Sequence, residues 1–228
     1  MDIKCLLLDL DDTLYPERDY FESGLKAVAS WLAVRQGLDV VQVRERLYED
    51  LRRNGRNQLF DMIAVPDGVD RTIWIKTLLH VYRSHRPEIR LYPQADKFID
   101  QCMSLGLDVG LVTDGKSRVQ WNKVEALGLD RRLHLILCTE DIDTRKPATE
   151  PFAVAAGLLN VPVEQCVYVA DDPSKDFIGP RCLSMKTIHI KHSLEFPLAH
   201  GQGEGEGADF TATGFDEILA ILTGGFDD

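Results

Sequence analysis

Basic residues are scarce: 26 Lys and Arg stand against 37 Asp and Glu, a formal net charge of −11. That deficit argues against a nucleic-acid polymer as partner, because such binding rests on neutralising phosphates with many cations. A small phosphorylated metabolite, which needs only a few local cations, stays open. Cysteine is sparse and unpaired in pattern. The five residues Cys5, Cys102, Cys138, Cys166 and Cys182 are odd in number and form no CxxC. A disulfide framework and a zinc finger are both excluded as readings, and the thiols are expected to be reduced and buried in a cytoplasmic setting. The six histidines show no ligand spacing of the HxxxH kind. No apolar run reaches the length of a membrane span, so no membrane partner is expected. Met1-Asp2-Ile3-Lys4 runs directly into the first apolar stretch, so no secretory signal is expected. Repeats are absent, and low complexity is confined to residues 201–207, read as a mobile loop.

What is present begins with Cys5-Leu6-Leu7-Leu8, which reads as a short, fully buried strand. Asp9-Leu10-Asp11-Asp12-Thr13 follows at once. In a strand, residues two apart share a side, so Asp9 and Asp11 can face one site while Leu10 points into the core. Carboxylates held together raise each other's pKa unless a cation relieves the repulsion. The pair suggests a metal, a shared proton, or both. The alternative is a solvated loop with capping Asp and Thr residues.

The 228 residues, 44% of them hydrophobic, fit one large domain or a domain with an insert. After Pro16 the pattern is helical. Phe21, Leu25, Val28, Ala29 and Leu32 recur at helical steps up to Gly37, and Val40, Val43, Leu47 and Leu51 continue the pattern to Asn54-Gly55. A short helix is expected over Leu59–Ile63, and a further one through Ile73, Trp74, Leu78 and Val81. From Tyr92 onward strands alternate with helices: Asp108–Thr113, His134–Cys138, Gln165–Ala170 and Lys186–Ile190 read as strands. A closing helix is expected over Phe215–Leu222. The expected fold is α/β, a doubly wound, mainly parallel Rossmann-like sheet (residues 1–14 and 91–228) carrying an inserted all-helical cap (residues 15–90). Ligands of such sheets bind beyond the carboxyl ends of the strands, where an insert leaving the first strand would act as a lid.

Residues leaving the strands should then share one site. They are Asp9, Asp11 and Thr13; Thr113, Asp114 and Gly115; Lys146 before Pro147; and Asp171, Asp172 and Asp176. Each has a use in phosphoryl transfer. A carboxylate can attack phosphorus, and Asp9 stands first at the strand end. A second carboxylate, Asp11, can protonate the leaving alcohol and then activate water. Magnesium prefers oxygen ligands, and Asp171 is the natural additional one. Lys146, Thr113 and the backbone N–H groups near Asp114 and Gly115 can hold the phosphoryl oxygens. Thr13, Tyr15 and Arg18, at and just past the acidic strand end, are candidates for binding substrate at the site mouth. In the helical insert Arg52, Arg53, Arg56, Trp74 and Lys76 are candidates for substrate contact, although helical position favours surface or core.

On these motifs the chain resembles the haloacid dehalogenase superfamily of hydrolases, mostly magnesium-dependent phosphatases. The DxDxT motif is matched by Asp9, Asp11 and Thr13, the second by Thr113, the third by Lys146-Pro147, and the fourth by Asp171 and Asp176, with Ala170 in place of a usual Gly. The resemblance implies Asp9 as nucleophile and Asp11 as general acid and base. Magnesium would be held by the Asp9 side chain, the Asp11 carbonyl and Asp171, with Asp172 as an extra acid that either ligates metal or water or caps the surface. Thr113 and Lys146 would hold the phosphoryl group, and Asp176 would orient Lys146 or the metal shell. The implied activity is phosphomonoester hydrolysis through an aspartyl phosphate, by a monomer or homodimer, on a nucleoside monophosphate or sugar phosphate. A phosphosugar mutase, a 2-haloacid dehalogenase and a non-catalytic binding domain are the alternatives. Asp11 argues against the dehalogenase and the intact acidic set against the binding domain; a phosphonate hydrolase would need a desolvated cap lysine, and neither Lys26 nor Lys76 is marked as one.

Overall fold

The computed structural model describes residues 2–54, 59–60, 63–192 and 207–224. The loop expected at 201–207 and Arg56 therefore fall outside the described residues, apart from Gly207. The chain divides into two compact units, residues 1–17 with 90–228 and residues 18–89.

The first unit is built on a six-stranded sheet. Its strands are β1 (Cys5–Leu8), β2 (Asp108–Thr113), β3 (Leu135–Cys138), β4 (Cys166–Ala170), β5 (Lys186–Ile190) and β6 (Phe210–Ala212), in the order β3-β2-β1-β4-β5-β6. Every pairing is parallel. Such strands are buried on both faces and so read as unbroken apolar runs; all four residues of β1 are fully buried. Helices α4 (Pro93–Ser104), α5 (Ser117–Ala126), α6 (Glu150–Leu158), α7 (Ile178–Cys182) and α8 (Phe215–Gly224) complete the unit. Cys5, Leu7 and Tyr168 pack with Phe152 of α6 and with Phe177 beside α7. Leu6 and Leu8, which strand alternation turns the other way, are equally buried, so the sheet is covered on both faces. Phe98 of α4 lies against Phe215 of α8 with ring centroids 5.2 Å apart.

The second unit holds α1 (which runs Glu17–Gln36), α2 (Val40–Asn54) and α3 (Arg71–Ser84). Tyr82 lies at its centre, edge-on to Tyr20 and Phe60 at 5.7 and 6.1 Å. Trp74 is buried against Trp31, in keeping with its reading as core. Asp70 caps α3 by accepting from the Ile73 amide at 3.0 Å.

Three differences from expectation have physical causes. The helix expected at Leu59–Ile63 is a turn at Leu59 and Phe60, with residues 61–62 outside the described residues. Phe60 takes a left-handed φ of 78°, because its ring is fully buried while its amide donates to the buried Asp50 carboxylate at 2.9 Å. Strand β6 was unexpected: three residues without an apolar run carry no readable period. Residues 15–17 belong to the sheet unit, since Tyr15 is bound to Asp11 and the Tyr92 amide donates to the Leu14 carbonyl. The cysteines are all free, and Cys182, unlike the other four, is exposed.

Helix α7 packs on the loop that carries Lys146. A Cβ at Gly179 would stand 2.5 Å from the Ala148 carbonyl oxygen and 2.7 Å from that of Pro147. Backbone cannot step aside as a flexible side chain can. Gly179→Ala is expected to cost about 1–3 kcal/mol in urea unfolding, as overpacking of a filled core does; a midpoint equal to that of the parent would show that the loop moves freely.

Candidate active site

Parallel strands end together, and their carboxyl ends converge beside β1. The Asp9 amide donates to the Val169 carbonyl at 2.9 Å, carrying the β1–β4 ladder one residue past the strand. Asp9, Asp11, Glu17, Thr113, Asp114, Lys146, Asp171 and Lys175 line a cavity of about 120 Å³. Of the residues expected at the site, Asp9, Asp11, Thr113, Asp114, Lys146 and Asp171 are thus brought together.

Lys146 is the hub. Its ammonium donates to Asp9 Oδ1 at 2.8 Å and to the Tyr168 hydroxyl at 3.0 Å, and it pairs with Asp176 Oδ1 at 2.7 Å. The side chain is 1% exposed. Burial alone would lower its pKa, but the Asp176 and Asp9 carboxylates override that and hold it well above the ordinary value, so it remains a cation. Its backbone is held as well: the Asp114 carboxylate accepts from the Lys146 amide at 3.1 Å and from the Thr139 hydroxyl at 2.8 Å. Asp114 therefore secures the lysine loop with its side chain.

Oxygens of Asp9, Asp171 and Asp176 lie within 4.8 Å of one another. Burial and crowding make Asp9 and Asp171 reluctant to ionise. Burial, partly offset by Lys146, pushes Asp9 up to about 6. Burial, then the Asp9 and Asp176 charges, push Asp171 up to about 8. Oxygen-rich, over-acidic and short of cations, this trio suits a hard divalent ion. Asp172 was expected beside these acids. Its carboxylate is instead turned onto Ser174, accepting from the amide at 3.0 Å and the hydroxyl at 2.6 Å, with Lys175 at 3.3 Å. Asp176 takes the place in the trio, its second oxygen accepting from the Asp172 amide at 3.1 Å.

Asp11 has a different setting. Both its oxygens accept from Lys123 at 2.8 Å, Oδ2 also from Gln120 at 3.1 Å, and Oδ1 from the Tyr15 hydroxyl. Burial would raise its pKa, but the Lys123 charge and these hydrogen bonds hold it below the ordinary carboxylate range.

Two residues expected to touch substrate are instead fully buried supports. Tyr15 spends its hydroxyl on Asp11. Thr13 donates to Asp171 at 3.2 Å, while its carbonyl accepts from His192 at 3.0 Å. Gly115, with φ 133°, turns the chain toward α5, and a Cβ there would press on Gln120 at 3.2 Å. Arg18 belongs to the helical unit, where it faces Glu22 at 3.7 Å. Lys116, just past Gly115, is exposed and paired with Glu140. Gln120, Lys123, Tyr168 and Lys175 were not foreseen.

A family model described as haloacid dehalogenase-like hydrolase matches residues 6–190. The chain is 29% identical over 197 residues to a glyceraldehyde 3-phosphate phosphatase of Methanopyrus kandleri, covering 83% of this chain and 84% of that protein. It is 27% identical over 225 residues to a glyceraldehyde 3-phosphate phosphatase of Methanocaldococcus jannaschii, covering 96% and 97%. Its fold is shared with the crystal structure of a 2-haloacid dehalogenase from Pseudomonas syringae pv. Tomato DC3000, at a TM-score of 0.67 and 21% identity, covering 97% and 98%. The match over most of its length places the chain in the haloacid dehalogenase-like hydrolases.

The raised pKa of Asp171 has a stability consequence. The folded protein keeps a proton that the unfolded chain loses in the ordinary carboxylate range, so metal-free stability falls as pH rises toward about 8. Asp171→Asn removes that penalty. In chelator at pH 8 it should raise stability by about 1–2 kcal/mol, roughly 3–6 °C in Tm, with a smaller gain at pH 5. Added Mg2+ should raise the Tm of the parent more than that of the variant. A variant that melts below the parent at pH 8 would refute the crowding.

Proposed function

We propose that this haloacid dehalogenase-like hydrolase is a phosphomonoesterase that works through an aspartyl phosphate on Asp9. The observation that carries the reading is the opposed settings of Asp9 and Asp11. One is a carboxylate lying between Lys146 and two further acids, Asp171 and Asp176, the other a carboxylate two residues on that is held by separate donors; both line one small polar cavity. Two acids in contrasting environments, on one side of a cavity, suit the two roles that ester hydrolysis requires.

In this reading Asp11 first takes up a proton from solvent; an Asp9 oxygen then attacks phosphorus as the ester P–O bond breaks, and Asp11 gives that proton to the departing oxygen. Asp11 then takes a proton from the water that attacks the acyl phosphate, which releases inorganic phosphate and restores Asp9. Lys146 and Thr113 bind the phosphoryl oxygens, and Asp176 and Tyr168 keep the lysine aimed. Mg2+ fits the trio by charge and oxygen chemistry: Asp9, Asp171 and Asp176, with the Asp11 carbonyl, would hold it, and it would supply positive charge against the incoming phosphate. Asp172 is left as the residue that fixes the turn through Ser174.

The cavity of about 120 Å³ has room for little more than a phosphoryl group, so the sheet unit recognises phosphate and leaves the rest of the substrate open. Relatives named for glyceraldehyde 3-phosphate favour a short sugar phosphate over a nucleoside monophosphate.

Asp9→Asn is expected to lower p-nitrophenyl phosphate hydrolysis in Mg2+ by about three orders of magnitude or more with an unaltered circular dichroism spectrum at assay temperature. Excess chelator should silence the parent. A panel of three- to six-carbon sugar phosphates and nucleoside monophosphates, read by free phosphate, then ranks substrates. Full activity of Asp9→Asn would sink the mechanism.

A further inference from the structure

Helix α5 turns two polar residues inward. Gln120 and Lys123, one helical step apart on the same face, are 1% and 4% exposed, beside Val124 at 0%. A lysine taken out of water is costly unless its partner repays it, and an aliphatic residue would pack that position at less expense. Its ammonium reaches the Asp11 carboxylate with both distances at 2.8 Å, which is a fork on one acid and not a diffuse surface pair.

We propose that Lys123 and Gln120 are positioning residues for Asp11, holding its carboxylate where it meets the leaving-group oxygen. The proposal rests on the reading of Asp11 as general acid and base. A carboxylate offers about four lone-pair sites in its plane. Lys123 takes one on each oxygen, Tyr15 one on Oδ1 and Gln120 one on Oδ2, so the group cannot rotate. A reacting oxygen must displace one of these donors. The Gln120 amide is suited to yield. Its two N–H bonds face three acceptors: Asp11 at 3.1 Å, the Thr113 hydroxyl at 2.8 Å and the Asp114 carbonyl. The bond to Asp11 is the weaker of those to the two side chains, and releasing it leaves the amide bonded. Lys123 is then the anchor and Gln120 the exchangeable contact, linking the proton-transfer acid to the hydroxyl proposed to bind phosphate. Asp11 keeps 20% side-chain exposure, enough for an approach from the cavity.

The test compares glycerol 2-phosphate, whose alkoxide needs a proton to leave, with p-nitrophenyl phosphate, whose phenolate does not. Lys123→Met should lower the single-turnover rate of alcohol release, which reads the first step before the water attack common to both esters, by about a hundredfold on glycerol 2-phosphate and by less than about tenfold on the aryl ester, with KM within about threefold on both. Lys123→Arg, which keeps charge and donors, should recover most of the loss. Equal loss on both substrates, or a change in KM alone, would overturn the proposal. Asp11→Asn is measured alongside. If it fails to discriminate the two esters, the acid reading falls and this proposal with it; if it discriminates and Lys123→Met does not, only the positioning role falls. Should Lys123→Met melt below assay temperature, the same ester ratio in Gln120→Met decides: a ratio shifted toward the aryl ester supports the proposal, and an unshifted one rejects it.

Discussion

The buried ammonium of Lys146 is the charge on which the site depends. It stands between Asp9 and Asp176 at 2.8 and 2.7 Å with almost no exposure to water. An ion in such a place loses its hydration, and only well-placed opposite charge makes the position tolerable. Each carboxylate in turn relies on it, since a buried acid without a cation gives up its ionisation. The arrangement is nevertheless unbalanced. Asp171 adds a third acid to the same cluster, and burial first, then the Asp9 and Asp176 charges, raise its pKa in spite of Lys175. A site carrying that excess of negative charge favours cationic company and would repel an unaccompanied phosphate. The same excess that weakens the metal-free fold therefore gives a divalent ion its purchase, a familiar conflict between stability and function.

The DxD segment separates two acids by environment and not by residue type. Asp9 is pressed upward by burial among acids, while Asp11 is pulled downward by Lys123, Gln120 and Tyr15. Alternation along an extended backbone would bring the two to one side, and both do line one cavity. What differs is which neighbouring element supplies the cation: the loop after β3 for Asp9, helix α5 for Asp11. Contrasting roles for identical side chains thus follow from topology.

The strands were legible where burial on both faces produced unbroken apolar runs, as in Cys5–Leu8 and Cys166–Ala170. Motif residues at their ends were legible because clustered Asp residues after such runs have few structural uses. Lys123 and Gln120 were not. Sequence patterning places Lys and Gln on solvated helix faces, and here they lie inward for a charge that another part of the chain provides. Tyr168 was hidden in the same way, read as one more apolar member of QCVYVA although its hydroxyl meets Lys146. Thr13 and Tyr15 were recognised as belonging to the site but given substrate to hold, because sequence proximity to a nucleophile does not reveal on which side of it a hydroxyl lies. Asp176 was expected to orient Lys146 or the metal shell, and it pairs with Lys146; the motif leaves Asp172 open between a ligand and a cap, and in Asp171-Asp172-Pro173-Ser174-Lys175-Asp176 a tight turn spends it on Ser174 and returns the farther acid to the cluster.

Why these residues meet at all is a matter of strand order. With β1 between β2 and β4, and β3 one place further out, three separate crossovers deliver their following residues to one end of one strand. Parallel pairing makes that end the same for every strand, and the in-register neighbours Leu8, Leu111 and Val169 bring their successors level. An antiparallel strand at β2 or β4 would have sent Thr113 or Asp171 to the far side of the sheet. The acids, the hydroxyl and the lysine are separated by tens of residues in sequence, and no local pattern relates them. Direction and order of the strands relate them, and the chemistry proposed for Asp9 is available only because that order puts its strand in the middle.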